Sequence, residues 1–318
     1  MDQYLDKIPD VRVLVVGDAM LDRYWFGDVN RISPEAPVPV LAIGNSDERA
    51  GGAANVACNI SALGASCDLV TVVGIDDAAQ SLERLLNERG VQPVFTHDRD
   101  HVTTVKLRLL SRNQQLLRAD FEQQPGDAFV TEAMQRYRDQ LDSADIVLLS
   151  DYGKGVLRDI EQLIDAAKEK NLKVLVDPKG RDFSRYRGCT MITPNRHEFE
   201  DVVGPCSSLD HMAVKAAELL KSIDVQYLLI TLSDKGMALF DGDGLVFHQK
   251  ARAREVFDVS GAGDTVIGAV AAMLATGADY REAVHVANAA AAIVVGKLGV
   301  ATASTEEIRM EISKEEIA

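Results

Sequence analysis

Cysteine is scarce in this chain: four in 318 residues (Cys58, Cys67, Cys189, Cys206), with no C-x-x-C pair among them. That excludes a disulfide scaffold and a thiolate metal knuckle, and leads us to expect reduced, partly buried thiols in a cytoplasmic protein. No apolar run approaches the roughly 20 residues that cross a bilayer. The opening MDQYLDKIPD lacks the basic-then-apolar pattern of a secretory leader, so none is expected. Positive charge is also in deficit. Lys and Arg number 34 against 49 Asp and Glu, a net charge of −15, which argues against nucleic acid or an anionic membrane as partner. Familiar nucleotide signatures are missing too. There is no G-x-x-x-x-G-K-[ST] and no G-x-G-x-x-G after the first apolar strand, which excludes a P-loop enzyme and argues against a dinucleotide dehydrogenase. The six histidines form neither H-x-G-H nor H-E-x-x-H, so an adenylyltransferase or a zincin is not expected either.

What is present is a globular composition, 47% hydrophobic and 26% charged, with ample core. Short β-branched runs (Val11–Val16, Leu69–Val73, Ile146–Leu149, Leu172–Val176, Met191–Thr193, Tyr227–Thr231) alternate with helical segments at 78–89, 156–170, 196–203 and 210–222. That alternation predicts an α/β fold with a mostly parallel sheet covered on both faces. The last third is alanine-rich and helical, at 262–277, 280–297 and 305–315, with Ser304 and Glu307 at capping-box spacing. Neither a repeat nor a low-complexity linker divides residues 1–318, so one domain is expected. Two segments break the pattern. RISPEAPVPV holds three prolines, which exclude a helix interior, and Val102–Phe121 alternates with period two. These segments, about 22–45 and 95–122, are expected to pair as a small sheet outside the main layer, a lid that needs a cover on its apolar side.

The sharpest chemical signal is Asp258-Val-Ser-Gly-Ala-Gly-Asp264, placed just before an alanine-rich helix. Gly261, Ala262 and Gly263 make a turn that presents bare amides at a helix N-terminus, an anion site. Asp264, on the first turn, is then placed to accept a proton from an attacking hydroxyl; the same residues would also make a plain Gly-rich turn with a capping Asp. Gly51, Gly52 and Asn55 open an earlier helix, where a ligand can approach the backbone and an amide can meet a hydroxyl, or where a loop merely joins a helix. Asn195-Arg196-His197-Glu198 has capping-box spacing and also sets an amide and a carboxylate beside the phosphate site. Asp18, Asp22 and Asp151 follow predicted strands, where open α/β sheets bind ligands and where carboxylates suit polyols; each alone is equally a solvated surface acid. Lys106, Arg108, Arg112 and Arg118 fall within 13 residues that hold no acid, where average composition gives about 1.4 cations. They are either a second anion site or the charged face of an edge strand.

The pairing of Gly-Gly-x-x-Asn near residue 51 with Asp-x-x-Gly-x-Gly-Asp near residue 258 resembles the ribokinase-like (pfkB) carbohydrate kinases, from Val11 to about Ser304. The stretches GDAMLDRYWFGDVNRISPEAPVPV, KLRLLSRNQQLLRAD and SDYGKG are similar to the subgroup acting on heptose 7-phosphates in lipopolysaccharide precursor synthesis. The resemblance implies a three-layer α/β/α sandwich of about nine strands with a small β-sheet lid that makes a homodimer. It implies transfer of the ATP γ-phosphoryl group to the anomeric O1 of D-glycero-β-D-manno-heptose 7-phosphate. By position, Asp264 would be the base and Gly261, Ala262 and Gly263 the anion hole. Asn195, Arg196, His197 and Glu198 would organise ATP phosphates and Mg2+, the metal meeting Glu198 directly or through water. Thr231, Ser233, Gly236 and Asn288 would line the nucleotide. Asp18, Asp22, Gly51, Gly52, Asn55 and Asp151 would hold the sugar. Lys106, Arg108, Arg112, Lys154 and Lys179 would grip its phosphate, and Asp258 with Ser260 would serve K+. Met20 departs from the asparagine of ribokinases, and Ser260 from the commoner threonine. Many relatives add a domain bearing H-x-G-H, a motif absent from this sequence, so a kinase standing alone is expected. Two alternatives stay open: a kinase of another sugar phosphate or nucleoside, and a non-catalytic sugar-phosphate sensor.

Overall fold

The computed structural model describes residues 1–112, 114–252, 256–297 and 299–317, the side chains of 315–317 excepted. Thirteen strands occur among them: β1 Arg12–Gly17, β2 Ala19–Ile32, β3 Pro39–Gly52, β4 Ser66–Val73, β5 Val91–His97, β6 Val105–Ser111, β7 Gln114–Phe121, β8 Ile146–Ser150, β9 Lys173–Asp177, β10 Met191–Ile192, β11 Tyr227–Thr231, β12 Met237–Asp241 and β13 Gly244–Gln249. Nine form one sheet in the order β13-β12-β11-β10-β9-β8-β1-β4-β5. From β11 to β5 every pairing is parallel, and the β12–β13 hairpin closes one edge antiparallel.

The strands read as continuous apolar runs because alternate side chains feed two separate cores. Val13, Val15, Ile146, Leu148 and Leu175 join one core with the helices Ala53–Ala62, Asp77–Glu88, Ala262–Ala275, Tyr280–Val295 and Thr305–Ile317. Leu14, Val16, Val147, Leu149, Val174 and Val176 face the other, under the helices Asp127–Gln140, Ile160–Glu169 and Leu209–Ile223. The result is the expected α/β/α sandwich. β1 lies between β8 and β4, so the chain leaves it toward one edge and returns on the other side. At such a switch point the loops after neighbouring strands part and leave a crevice at the carboxyl ends.

The remaining four strands form a separate sheet, β3-β2-β6-β7, with β2 and β6 parallel and the outer pairs antiparallel. Its register sets Arg49, Asp22, Lys106 and Asp120 side by side, then Asp47, Tyr24, Arg108 and Arg118 in the next like-facing row. On the opposite face Leu21 and Val105 pack against Ala78 and Leu85 of the helix below. Some boundaries differ from expectation. Residues 95–97 belong to β5 of the large sheet, and the helix expected from 156 begins at Ile160, after Gly153 and Gly155, both at positive φ, have turned the chain. Strand β5, the β12–β13 hairpin and the helix Asp127–Gln140 were not anticipated.

Candidate active site

The Asp258–Asp264 turn lies at the crevice. Gly261 caps the helix Ala262–Ala275 in the left-handed region (φ 78°). A β-carbon there would sit 2.7 Å from the Asn55 amide nitrogen, so glycine is required both for the turn and for the space. The Ala262 amide is already given to the Val259 carbonyl at 3.2 Å. The expected three-residue anion cradle therefore narrows, since Ala262 has no spare donor. Gly263 has nothing within 4 Å of where its β-carbon would be, so its backbone opens directly onto the cleft.

Asp264 is 7% exposed and held at both oxygens. Asn55 Nδ2 donates to Oδ2 at 2.6 Å, and the Tyr152 hydroxyl donates to Oδ1 at 2.7 Å. Burial pushes its pKa up to about 6, the Asn55 and Tyr152 hydrogen bonds pull it down, Asp22 raises it and Lys106 lowers it. A carboxylate poised near neutrality suits proton transfer from a hydroxyl.

Two cavities meet at this residue's helix. One, of about 600 Å³, is walled by Val256, Val259, Val266, Ala291 and Val295, with Thr231, Ser233, Gly236 and Asn288 around it. Asn288 reaches it by donating to the Lys250 carbonyl at 2.8 Å, which fixes that wall. The other, of about 210 Å³, is polar and lined by Asp177, Lys179, Asn195, Glu198, Gly261 and Asp264. Thr231, Asn195, Gly263 and Val266 belong to both, so the apolar cleft runs into the polar one past the Gly263 amide.

Asn195 and Glu198 do make the capping box. Asn195 Oδ1 accepts from the Glu198 amide at 3.0 Å, and Glu198 Oε2 from the Asn195 amide at 3.1 Å. Glu198 Oε1 still meets Lys179 Nζ at 3.3 Å. Asp177, not singled out from sequence, ends β9 beside them. Desolvation, then the charges of Asp264 and Glu198, push its carboxyl well above the usual range. Arg196 is bound elsewhere, to Glu200 (2.9 Å) and the Cys206 carbonyl (2.8 Å); His197 stands exposed at the mouth of the apolar cleft. Asp258 accepts from the Ser260 amide at 2.9 Å, a local turn on the exposed side of the loop.

Several sugar-site expectations change. Asp18 is 1% exposed and spends its carboxylate on backbone: Tyr152 and Lys154 amides at 2.9 Å on Oδ2, the Val156 amide at 3.0 Å on Oδ1. It organises a loop and does not face a polyol. Asp151, by contrast, does line the polar cavity, with its carboxylate engaged by the Gly153 amide (2.8 Å) and the Tyr186 hydroxyl (2.9 Å) and Arg185 at 3.3 Å. Met20 packs beneath Gly51 and Gly52, whose missing side chains leave room for it. Asp22 remains at the site, bound to Arg108 at 2.6 Å, and a β-carbon on Gly51 would lie 2.5 Å from its Oδ2. Lys106 sits over the Tyr152 ring, 5.7 Å from its centre. Arg112 falls in the turn after β6, exposed, about 20 Å along the strand from Lys106 at 3.3 Å per residue, too far to share one phosphate with it. Lys154 is paired with Glu122 and Arg118 with Asp120.

The chain belongs to the pfkB family of carbohydrate kinases, whose model matches residues 11–307. It is 49% identical over 310 residues to the bifunctional protein HldE of Histophilus somni, covering 98% of this chain and 65% of that protein. It thus spans about two thirds of such relatives. It is also 49% identical over 312 residues to the D-beta-D-heptose 7-phosphate kinase of Bordetella bronchiseptica, covering 98% of this chain and 99% of that one. Among solved structures, phosphofructokinase-2 of Escherichia coli in complex with potassium superposes with a TM-score of 0.82 at 21% identity, covering 96% of this chain and 99% of that one. Arabidopsis thaliana ribokinase complexed with ribose and ATP gives 0.75 at 22%, covering 95% and 98%.

Proposed function

We propose that this protein transfers the γ-phosphoryl group of ATP to the anomeric hydroxyl of D-glycero-β-D-manno-heptose 7-phosphate, giving the 1,7-bisphosphate. One observation carries the reading: a buried carboxylate with a pKa near 6, Asp264, stands where an apolar cleft of nucleotide size opens into a polar one. The choice of sugar is supported by the full-length kinase relative and by two cations of the small sheet near the site, Lys106 over the Tyr152 ring and Arg108 bound to Asp22.

In this reading the adenine lies against Val256, Val259, Ala291 and Val295, and the triphosphate runs past Gly263. Mg2+ is a hard ion that takes one or two carboxylates plus phosphate oxygens and waters. Asp177 and Glu198, two oxygen ligands whose charges oppose each other, fit that demand. Bound there, the metal would neutralise charge on the phosphates. Asp264 accepts the sugar hydroxyl's proton as its oxygen attacks phosphorus, and the Gly263 amide points at the charge gathering on the phosphoryl oxygens. Asp22 and the backbone at Gly51 and Gly52 face the sugar; Lys106 and Arg108 take its phosphate, and Lys179 screens the phosphates beside Glu198. Asp258 and Ser260, joined by the Ser260 amide's hydrogen bond to the Asp258 carboxylate, would be the residues to serve a K+ ion in the adjoining loop. A second copy of the chain covers the outer side of the small sheet, where Leu117 (58% exposed) and Phe121 (51%) lie on its edge strand. Among the described residues no helix is long and apolar enough to cross a membrane.

The test is a coupled ADP-release screen over heptose, hexose and pentose phosphates and nucleosides, with product identified by 31P NMR. Turnover greatest on the heptose 7-phosphate, with a new anomeric phosphate, supports the reading. A different best acceptor replaces the sugar; no ADP release with any acceptor replaces the enzyme with a sensor.

A further inference from the structure

The loop Ser150–Val156 is built with unusual completeness around one side chain. Asp18 takes its amides at Tyr152, Lys154 and Val156, and Asp151 takes Gly153 and is itself held by Tyr186 and Arg185. Gly153 and Gly155, at φ 69° and 106°, allow the path. What this scaffold delivers is the Tyr152 hydroxyl, 2.7 Å from Asp264 Oδ1. We propose that Tyr152 is a positioning residue of the kinase reaction: its hydroxyl holds Asp264 ionised and oriented to receive the substrate proton. The role rests on Asp264 being the base.

The electrostatics explain why such a donor is needed. Asp264 is buried and works beside other acids, Asp22 from the small sheet and Asp177 at the end of β9, with Lys106 as the nearby cation and Asn55 as the other hydrogen-bond donor. An anion in that company stays charged only while donors face it. Asn55 supplies one at Oδ2. Tyr152 supplies the other and does not compete as a base, because burial and the Asp264 charge push its own pKa well above the usual phenol value. Each carboxylate oxygen has two lone pairs, so Oδ1 can accept the sugar hydroxyl while keeping Tyr152. Lys106, resting over the ring, ties this arrangement to the small sheet.

The experiment compares the full chain with Tyr152→Phe and with Tyr152→3-fluorotyrosine. Asp264 is titrated by NMR of 13C-labelled aspartate, its resonance assigned through Asp264→Asn, and kcat/KM is followed from pH 5 to 9. Removing the donor raises the Asp264 pKa by about one unit. The acid limb of kcat/KM moves with it, so the rate falls about fivefold at pH 6 and stays within about threefold of the parent at pH 8.5. Fluorine makes the phenol a stronger donor at unchanged shape and shifts both readouts the opposite way, so it decides the matter if the Phe protein does not fold. An Asp264 titration unmoved by either variant, or a loss in Tyr152→Phe that is equal at pH 6 and 8.5, overturns the proposal. The titration needs no substrate, so a parent enzyme inactive on heptose 7-phosphate refutes the choice of sugar and leaves this test standing.

Discussion

Asp264→Asn should make the protein more stable, and by an amount that depends on pH. The Asp264 carboxyl has its pKa raised from 3.8 to about 6 by burial. A raised pKa means that the folded state is best tolerated with the group neutral. Its stability contribution is whole below the unfolded value near 4 and is lost as pH rises through about 6. At one pKa unit per 1.36 kcal/mol, the ionised group costs about 3 kcal/mol at pH 8. Asparagine has the same shape and no charge. Its oxygen still accepts from Asn55, and its amide can donate to the Tyr152 oxygen, so both existing contacts keep a partner. With about 2 °C per kcal/mol for a chain of this size, Tm should rise by about 6 °C at pH 8. By linkage the gain shrinks to about half at pH 5 and vanishes toward pH 4. Scanning calorimetry of both proteins across that range reads it directly. A variant no more stable than the parent at pH 8, or a gain that does not change with pH, refutes the reasoning that burial strains this carboxylate.

Other consequences follow from single contacts. Gly261→Ala puts a β-carbon against the Asn55 amide at a φ of 78°, so kcat should fall at least about tenfold with the strain of a displaced turn; steady-state kinetics at pH 7.5 checks it. Arg108→Gln removes a cation and frees Asp22, and should raise KM for the sugar phosphate about tenfold or more while KM for ATP moves less than about twofold. Arg112→Gln, at the distant hairpin turn, should leave both unchanged, and an equal loss in the two variants would return Arg112 to the phosphate site. If copies of the chain associate through the small sheet as proposed, Leu117→Glu should lower the sedimentation coefficient to that of a monomer, and an unchanged coefficient would place any contact between copies elsewhere.

Much of this architecture was legible because the signals were local. The turn at Gly261–Asp264, the capping boxes at Asn195/Glu198 and Ser304/Glu307, and the period-two register of β6 each depend on residues within a few positions of one another. The helix Asp127–Gln140 was missed because its buried face (Val130, Ala133, Met134, Tyr137) is diluted by charged and amide side chains. The β12–β13 hairpin is short, and its placement as sheet edge is a tertiary fact. The acids were harder still. Asp18, Asp151 and Asp177 lie at the carboxyl ends of β1, β8 and β9, yet Asp18 is spent on backbone amides, Asp151 lines the polar cavity with its carboxylate already bonded, and Asp177 lines it beside Glu198, while Asp22 lies within β2 of the small sheet, bound to Arg108. Nothing in the letter D separates those outcomes, since the loop that claims or releases each oxygen is set by distant residues. Tyr152 had a readable hint, an aromatic inside a Gly-rich polar loop, but its target lies 112 positions away.

The most direct measurement is the turnover of Asp264→Asn with saturating ATP, Mg2+ and the heptose 7-phosphate, beside its affinity for ATP. The account predicts kcat lowered by about 10²–10⁴ with ATP binding within about twofold of the parent, the signature of a lost general base in an intact nucleotide cleft. A variant that turns over at the parent rate would contradict it, and proton removal would then have to be assigned to another group.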